Sequence, residues 1–249
     1  MYRKLVLSAV LLALPLSGAA AQEKTLDQVL SCYYDAIGGL KAWQNLNSMV
    51  AYGTMSMSGI EAPFVVYQKR PRKERVEFTI QGMTGIQAFD GETGWMVMPF
   101  AGSTTPEKMP ADQVEQMKEE ADIDGPLVDY KKKGIQVKLA GTEDVEGTQA
   151  YRLDVTLKNG DERFFDLDTD YCLPIRSGGK VKQGDQMYEV ENSSGDYKPV
   201  DGLMIAHSVQ THMVGAPQGD RSMTIDSVKV NVPVPDSLFV MPDTTKTGG

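Results

Sequence analysis

The sequence predicts an exported α+β protein that is mainly antiparallel β. Three observations lead to this prediction: a start typical of a secretion signal, an amphipathic helix directly after it, and about twelve later segments in which apolar residues occupy every second position. Gly, Asn and Asp turns separate these segments, as expected of consecutive hairpins. The length that remains after the signal fits one large β-rich domain.

The first 21 residues have the layout of a cleavable signal peptide. A basic start at Arg3 and Lys4 precedes an apolar run over 5–16 and the small residues 19–21. The apolar run is shorter than the roughly 20 residues that a membrane helix needs. Gln22 stands where a lipoprotein signal would place the cysteine that carries lipid. We therefore expect residues 22–249 to form one domain in the periplasm, not anchored as a lipoprotein.

The charge balance of the predicted mature chain argues against electrostatic binding to polyanions. Without Arg3 and Lys4 it has 34 acidic and 23 basic side chains, a formal charge of −11. Nucleic acids and anionic lipid headgroups are bound through clustered Lys and Arg. We expect no nucleic-acid partner and a monomeric protein.

Two cysteines, Cys32 and Cys172, leave two alternatives open. In an exported protein they can form one disulfide, which would stabilise the fold by roughly 4 to 5 kcal/mol. The simpler interpretation is two buried thiols that pack as small apolar groups. The sequence has no CxxC pair, so disulfide exchange is not predicted.

Helices are predicted in two places. Apolar residues at three- and four-residue spacing indicate a helix over 26–37, followed by a short helical turn over 40–46. A second group, 111–121 and 126–133, belongs to a helical insertion at about 106–134. The predicted strands cover 49–57, 64–69, 74–81, 84–90, 95–98, 135–139, 150–157, 162–167, 172–176, 186–191, 203–214 and 222–230.

Catalytic and metal-binding motifs are missing from the sequence. The two histidines, His207 and His212, fall on one predicted strand and point to opposite faces. HExxH, GxSxG, GxGxxG and Walker patterns do not occur. We predict no catalytic residues, no metal site and no cofactor. A hydrolase that uses Asp90 or His207 is retained as a third hypothesis.

Two aspartate groups receive structural interpretations. Asp166, Asp168 and Asp170 alternate as in a calcium loop, but the Gly and Glu that such a loop needs later are missing. We interpret them as a solvated strand face that runs into a turn. Asp122 and Asp124 are interpreted as helix-capping and turn residues.

Methionine is abundant, with 13 residues after the signal. Several are paired on strand faces, as Met55 with Met57 and Met96 with Met98. Flexible thioether side chains suit a cavity that accepts variable alkyl shapes, but they also fill gaps in ordinary cores. Both interpretations remain open at this point.

Short motifs along the chain resemble the LolA/LolB-like superfamily of outer-membrane lipoprotein-sorting proteins. The Arg-Pro and Asp-Gly…Trp…Pro pattern of the lipoprotein carrier is similar to segments 69–71, 89–95 and 99–100, with Arg75 opening the strand between them. The end of the first helix at 36–39 and the tail at 230–232, 236–239 and 241–242 resemble the wider group.

This resemblance implies an incomplete, open β-barrel of about 11 strands, capped by helices, with an apolar concavity for acyl chains. It implies a periplasmic carrier or chaperone for lipoproteins or other lipids, which exchanges cargo with an inner- or outer-membrane transport partner. The alternative is an envelope sensing or scaffold module that binds a protein partner through the same sheet. Arg70 corresponds to an arginine that helps to hold the lid. The predicted ligand-binding residues are Arg70, Met55, Met57, Phe78, Trp95, Met96, Val114 and Met117.

Overall fold

The computed structural model describes residues 24–215 and 220–243, so the predicted signal peptide lies outside it. The helices are α1 (Leu26–Ala36), α2 (Leu40–Gln44), α3 (Ala111–Glu120) and α4 (Tyr130–Lys133). The strands are β1 (Ser48–Met57), β2 (Ile60–Lys69), β3 (Lys73–Ile80), β4 (Met83–Phe89), β5 (Gly94–Met98), β6 (Ser103–Lys108), β7 (Gln136–Val145), β8 (Thr148–Thr156), β9 (Glu162–Asp168), β10 (Pro174–Gln183), β11 (Gln186–Val200), β12 (Leu203–Met213) and β13 (Arg221–Val230).

All of these strands form one antiparallel sheet. Its order is β6-β5-β4-β3-β2-β1-β13-β12-β11-β10-β9-β8-β7. The first strand pairs with the last, which joins two runs of hairpins into one surface. The edge strands β6 and β7 do not pair with each other, so the barrel is open. Helices α3 and α4 lie in the connection between these two edges.

The predicted class, mainly antiparallel α+β with an open sheet, is confirmed, but the strand count was too low. The described residues contain 13 strands instead of about 11. Strand β6 was missed because Pro99, Pro106 and Pro110 made segment 99–110 resemble a break in the sheet. Helix α4 begins at Tyr130, not at Pro126, because turns occupy residues 126–129.

Helix α1 covers the second half of the sheet. It begins with a capping box, in which the Thr25 hydroxyl accepts from the Gln28 amide and the Gln28 side chain accepts from the Thr25 amide. Its apolar stripe, Val29, Leu30 and Tyr33, is buried against β7, β8 and β9. This packing forms the largest apolar core cluster of the described residues.

A glycine at the end of α1 allows the chain to approach β12 closely. Gly38 has a φ of +100°, and a Cβ there would lie 2.0 Å from the carbonyl oxygen of Gly202. The amide of Met204 donates to the carbonyl of Ile37 at 3.0 Å. Glycine is therefore required both by the left-handed backbone and by the contact.

A disulfide joins Cys32 in α1 to Cys172, which follows β9. The simpler of the two sequence interpretations, free buried thiols, is therefore wrong. The sequence could not settle this question because the two residues are 140 positions apart and only the fold brings their Cα atoms to 5.8 Å. The bond fixes α1 to the second half of the sheet.

The C-terminal segment covers the outer face of the first half of the sheet. Phe239 is fully buried and Val234 nearly so, in a cluster with Val50. Lys69 donates to the Val234 carbonyl at 2.7 Å and pairs with Asp236 at 2.8 Å. The tail motif of the sequence therefore has a packing function.

A charged network lies on the outer face of the second half. Asp166 is 0% exposed and accepts from Arg152 at 3.0 Å and Arg176 at 2.7 Å. Both arginines also bond to Glu143. The interpretation of Asp166 as part of a solvated face was wrong, because two arginines from neighbouring strands cover it. Asp168 does serve the turn, since its carboxylate accepts from the amides of residues 170 and 171.

We predict that replacing both cysteines, Cys32→Ala with Cys172→Ala, lowers the free energy of unfolding by about 5 kcal/mol. The reason is that the bond restricts a long loop of the unfolded chain. Urea denaturation measures the change. Wild-type protein in reductant is the matched control and should lose a similar amount. An unchanged denaturation midpoint in both samples would contradict the structural role of the bond.

Candidate functional site

The two faces of the first half-sheet have different covers. Alternation places Met55 of β1, Phe78 of β3 and Met96 of β5 on the face towards the helices, which we call the inner face. Met55 pairs with Ala62 on one side and Met223 on the other, which continues this face across β2 and β13.

The middle of the inner face is apolar but not filled. Ten apolar side chains there are only half-buried and belong to none of the four buried core clusters. They lie on β1, β2, β3, β5, β12 and β13, and we call them the central inner surface: Met55, Met57, Val66, Val76, Phe78, Ile80, Met98, Val209, Met223 and Ile225. A half-buried apolar surface that is bordered by helices is suited to an apolar ligand.

Helix α3 lies over one border of this surface. Val114 and Met117 pack with Phe89 of β4 and with Met96 of β5. The close approach depends on Gly94, where a Cβ would lie 2.9 Å from a methyl group of Val114. Gly94, the second glycine of the Asp-Gly…Gly-Trp segment, therefore provides the space in which α3 packs.

Arg70 connects the Arg-Pro turn to the helical insertion. Its Nη2 donates to the Trp43 carbonyl at 2.8 Å and to the carboxylate of Asp124, and its Nε donates to the Leu46 carbonyl. Asp124 lies between α3 and α4 and is 8% exposed. A partly buried, charge-assisted pair is stronger than a solvated surface pair. Asp124 is therefore an anchor for Arg70, a function that the sequence did not predict.

Two further contacts tie α3 to the second half of the sheet. Arg163 of β9 donates from Nε and Nη2 to both carboxylate oxygens of Glu119, at 2.9 and 2.7 Å. Asp112, in the first turn of α3, accepts from the Gly184 amide at 2.7 Å, in the turn between β10 and β11. Helix α3 thus spans from β4 and β5 to β9 and β10. No local sequence pattern indicates these contacts, because the two residues of each contact lie more than 40 positions apart in the chain.

A cleft of about 440 Å³ opens along the flank of α3. Ile135 and Leu157 line its wall, while Arg72, Lys118 and Asp122 lie among its charged groups. Its lining residues Arg72 and Asp122 are close in sequence to Arg70 and Asp124, so this side of the helical insertion is open to solvent.

Comparison with solved structures identifies this architecture. A LolA superfamily protein from Nitrosomonas europaea aligns over 87% of this chain and 98% of its own, with a TM-score of 0.58 and 12% identity. A DUF1329 family protein from Desulfovibrio piger aligns over 85% and 97%, with a TM-score of 0.56 and 14% identity. The fold is LolA-like.

A third structure supports the same assignment. The putative outer membrane lipoprotein-sorting protein domain from Vibrio parahaemolyticus covers 86% of this chain and 96% of its own, with a TM-score of 0.55 and 10% identity. No protein-family model and no curated protein matches the sequence. Identities this low establish the LolA-like fold alone.

Seven of the eight predicted ligand-binding residues lie at or around the inner face of the LolA-like sheet. Met55, Met57, Phe78 and Met96 lie on the inner face itself. The α3 pair, Val114 and Met117, packs over its border, and Arg70 holds the adjoining insertion.

Trp95 does not join them. Across the neighbouring strands Trp95 is aligned with Ala88, Arg75 and Tyr67, whose side chains lie on the outer face. The indole is 1% exposed and donates to the Phe239 carbonyl at 2.7 Å. The prediction failed because adjacent residues of a strand point to opposite faces, so Trp95 and Met96 cannot share one surface. Trp95 instead anchors the C-terminal segment.

The groups that could support hydrolysis have structural partners. The Asp90 carboxylate accepts from the amides of Glu92 and Thr93 at 2.9 and 2.7 Å, within a turn. His207 is buried, with Nδ1 2.9 Å from the Ile205 carbonyl. These placements remove the observations that motivated the hydrolase hypothesis.

Within the described residues, the protein contains neither a metal-binding cluster nor a membrane-spanning helix. No group of three or more His, Cys, Asp or Glu side chains there is arranged to hold a metal ion. Among the same residues, no helix combines the length and apolar character that crossing a bilayer requires.

A buried carboxyl group of β3, Glu74, lies near an exposed one at the end of α3, Glu120. Glu74 of β3 is 4% exposed and accepts from Gln68 at 3.1 Å. Burial raises the pKa of Glu74 well above its ordinary value, and the neighbouring Glu120 of α3 raises it further. Glu120 itself is solvent-exposed, and its carboxylate accepts from Gln116 at 3.0 Å.

We predict that Arg70→Leu preserves the fold but speeds the exchange of a fluorescent acyl probe several-fold. The substitution removes the guanidinium that joins Trp43 and Leu46 to the insertion, so the closed position of α3 loses stability. Lys133 remains 3.9 Å from Asp124, so the buried carboxylate keeps a positive partner. The loss of Arg70 therefore destabilises the fold less than an unpaired buried charge would. Stopped-flow fluorescence measures the exchange.

Arg72→Leu is the matched control for this prediction. Arg72 is 46% exposed and lies 3.6 Å from Asp122, so its loss should leave exchange unchanged. If an Arg70→Leu protein of unchanged thermal stability exchanges the probe at the wild-type rate, the prediction is contradicted. Arg70 would then be a solvated residue before a turn, without effect on exchange.

Proposed function

We propose that this chain is a periplasmic carrier that holds the acyl chains of lipoproteins or other lipids on the central inner surface, without catalysing a reaction. The observation that carries the proposal is the half-buried apolar middle of the inner face. Solvent contact there is unfavourable, and an acyl chain that displaces it gains about 0.8 kcal/mol per buried methylene. Each methylene that is buried on this surface therefore adds to the affinity.

The composition of this surface fits flexible cargo. Met55, Met57, Met98 and Met223 are four of its ten side chains. Unbranched thioethers adapt to different alkyl shapes at low cost. This supports the cavity interpretation of the methionine pairs over the interpretation as gap fillers.

The contacts of α3 fit a cover that opens and closes. Its ties to β9 and to the Arg-Pro turn are polar side-chain contacts, whereas α1 is bound by a disulfide. Polar contacts exchange with water at modest net cost. We infer that cargo enters beneath α3 and that α1 stays in place.

The comparison structures agree with this proposal at the level of fold. The domain from Vibrio parahaemolyticus bears the name of a putative lipoprotein-sorting protein. Extending sorting to this chain is part of our proposal, as is its location in the periplasm.

We predict that Met55→Asp weakens binding of a fluorescent fatty-acid analogue at least about tenfold, or about 1.4 kcal/mol. A carboxylate on the central inner surface must be desolvated beside the acyl chain. Ser56→Asp is the matched control, since the neighbouring side chain points to the outer face, and it should bind as wild type. Fluorescence titration measures both, with urea denaturation to compare stabilities.

Two outcomes would contradict the carrier. One is equal affinity of wild type and Met55→Asp, which would place the probe elsewhere. The other is absence of binding to wild type together with a stable protein partner after purification from its own envelope. That second result would favour the sensing or scaffold module.

A further inference from the structure

The cleft along the flank of α3 has a basic rim. Its volume of about 440 Å³ lies in the range of small-ligand sites. Its lining contains four basic residues and three acidic ones. The basic residues come from four parts of the chain: Arg72 follows β2, Lys118 lies on α3, Lys133 lies on α4 and Lys158 follows β8. The fold therefore gathers positive charge around this opening.

Two of the three acidic residues that line the cleft are bound by basic groups. Glu119 accepts from Nε and Nη2 of Arg163 at 2.9 and 2.7 Å. Asp122 pairs with Lys133 at 2.7 Å and with Arg72 at 3.6 Å. These contacts offset the charges of both carboxylates, so neither repels an incoming anion as an unpaired carboxylate would.

Lys118 and Lys158 are the basic residues left for a ligand. The carboxylate partner of Lys118 is Glu115 at 3.4 Å, and such an exposed pair is weak. Lys158 has no ion pair and no side-chain hydrogen bond within the part of the chain that the structure describes. Its stem lies beside Gly134, where a Cβ would be 3.8 Å from Cγ and Cδ of Lys158. The stem is thus supported, while the ammonium group is available.

The same cleft also has an apolar wall. Ile135 and Leu157 form it, and both pack against the core beneath α1. Helix α3 borders this cleft through Lys118 and borders the central inner surface through Val114 and Met117. A molecule that extends past α3 can therefore meet apolar surface along its length and positive charge at its end.

We propose that this cleft binds the phosphate headgroup of a lipid, with Lys118 and Lys158 as its positive partners and the acyl chain on the central inner surface. This inference rests on the proposed function and names its ligand class. Lysine binds phosphate as a point charge. The formal charge of −11 argues against anionic headgroups for the predicted mature chain as a whole, and the cleft is a local exception.

Displacement of a bound fluorescent fatty-acid analogue tests the proposal at neutral pH, with competitors below their micelle concentrations. Lauroyl lysophosphatidic acid carries both an acyl chain and a phosphate. Monolauroylglycerol lacks the phosphate, and glycerol 3-phosphate lacks the chain. We expect the lysophosphatidic acid to compete at least about tenfold better than monolauroylglycerol. Glycerol 3-phosphate should not compete at the same concentration.

Lys158→Gln tests the assignment to the cleft. The substitution removes the charge of an exposed turn residue, so the preference for lysophosphatidic acid should fall several-fold while monolauroylglycerol competes as before. Lys158→Arg keeps the charge and should retain the preference. Lys132→Gln is the matched control, because Lys132 is 73% exposed, pairs with Asp129 at 3.0 Å and does not line the cleft. This control should also retain the preference.

The competitors and variants separate this inference from the proposed function. If monolauroylglycerol displaces the probe and lysophosphatidic acid is no better, the carrier stands and the headgroup site is overturned. A preference that persists in Lys158→Gln would also overturn the site. If neither acylated competitor displaces the probe and Met55→Asp leaves probe binding unchanged, the carrier itself fails. Competition by glycerol 3-phosphate equal to that of lysophosphatidic acid would overturn the lipid in favour of a free phosphate.

Discussion

A sheet has two faces, and the need to cover both of them organises this molecule. Helix α1 covers the inner face of the second half, and α3 covers the inner face at β4 and β5. The C-terminal segment covers the outer face of the first half, and the network around Asp166 covers that of the second. The central inner surface is the area that these covers leave half-buried. The candidate site is thus a consequence of where the covers end.

The covers differ in how firmly they are held. Helix α1 is bound by an extensive apolar core and a disulfide, which makes it part of the scaffold. Helix α3 has a small apolar contact and depends on Arg70, Arg163 and the Gly184 amide for its remaining ties. Partly buried ionic contacts hold such a segment in one position, yet they can be replaced by water when it moves. The same sheet therefore carries one cover held by a covalent bond and one held largely by polar contacts, and our proposal assigns opening to the second.

Much of the fold could be predicted from the sequence, because a period of two identifies strands and groups their side chains by face. That grouping correctly joined Met55 with Met57. It could not say which face the helices cover, so Trp95 was assigned to the wrong side. The Arg-Pro motif identified Arg70, but its partner Asp124 looked like an ordinary turn residue. Asp124 and Glu119 acquire their functions from contacts distant along the chain, which no local pattern reveals.

Native mass spectrometry of the protein purified from its own host tests the central claim most directly. We expect a bound species whose mass corresponds to a lipid or an acylated protein, which is lost on collisional activation. We also expect Met55→Asp to reduce the bound fraction and Ser56→Asp to retain it. An apo mass for the wild-type protein, unchanged after incubation with lipid, would contradict the account.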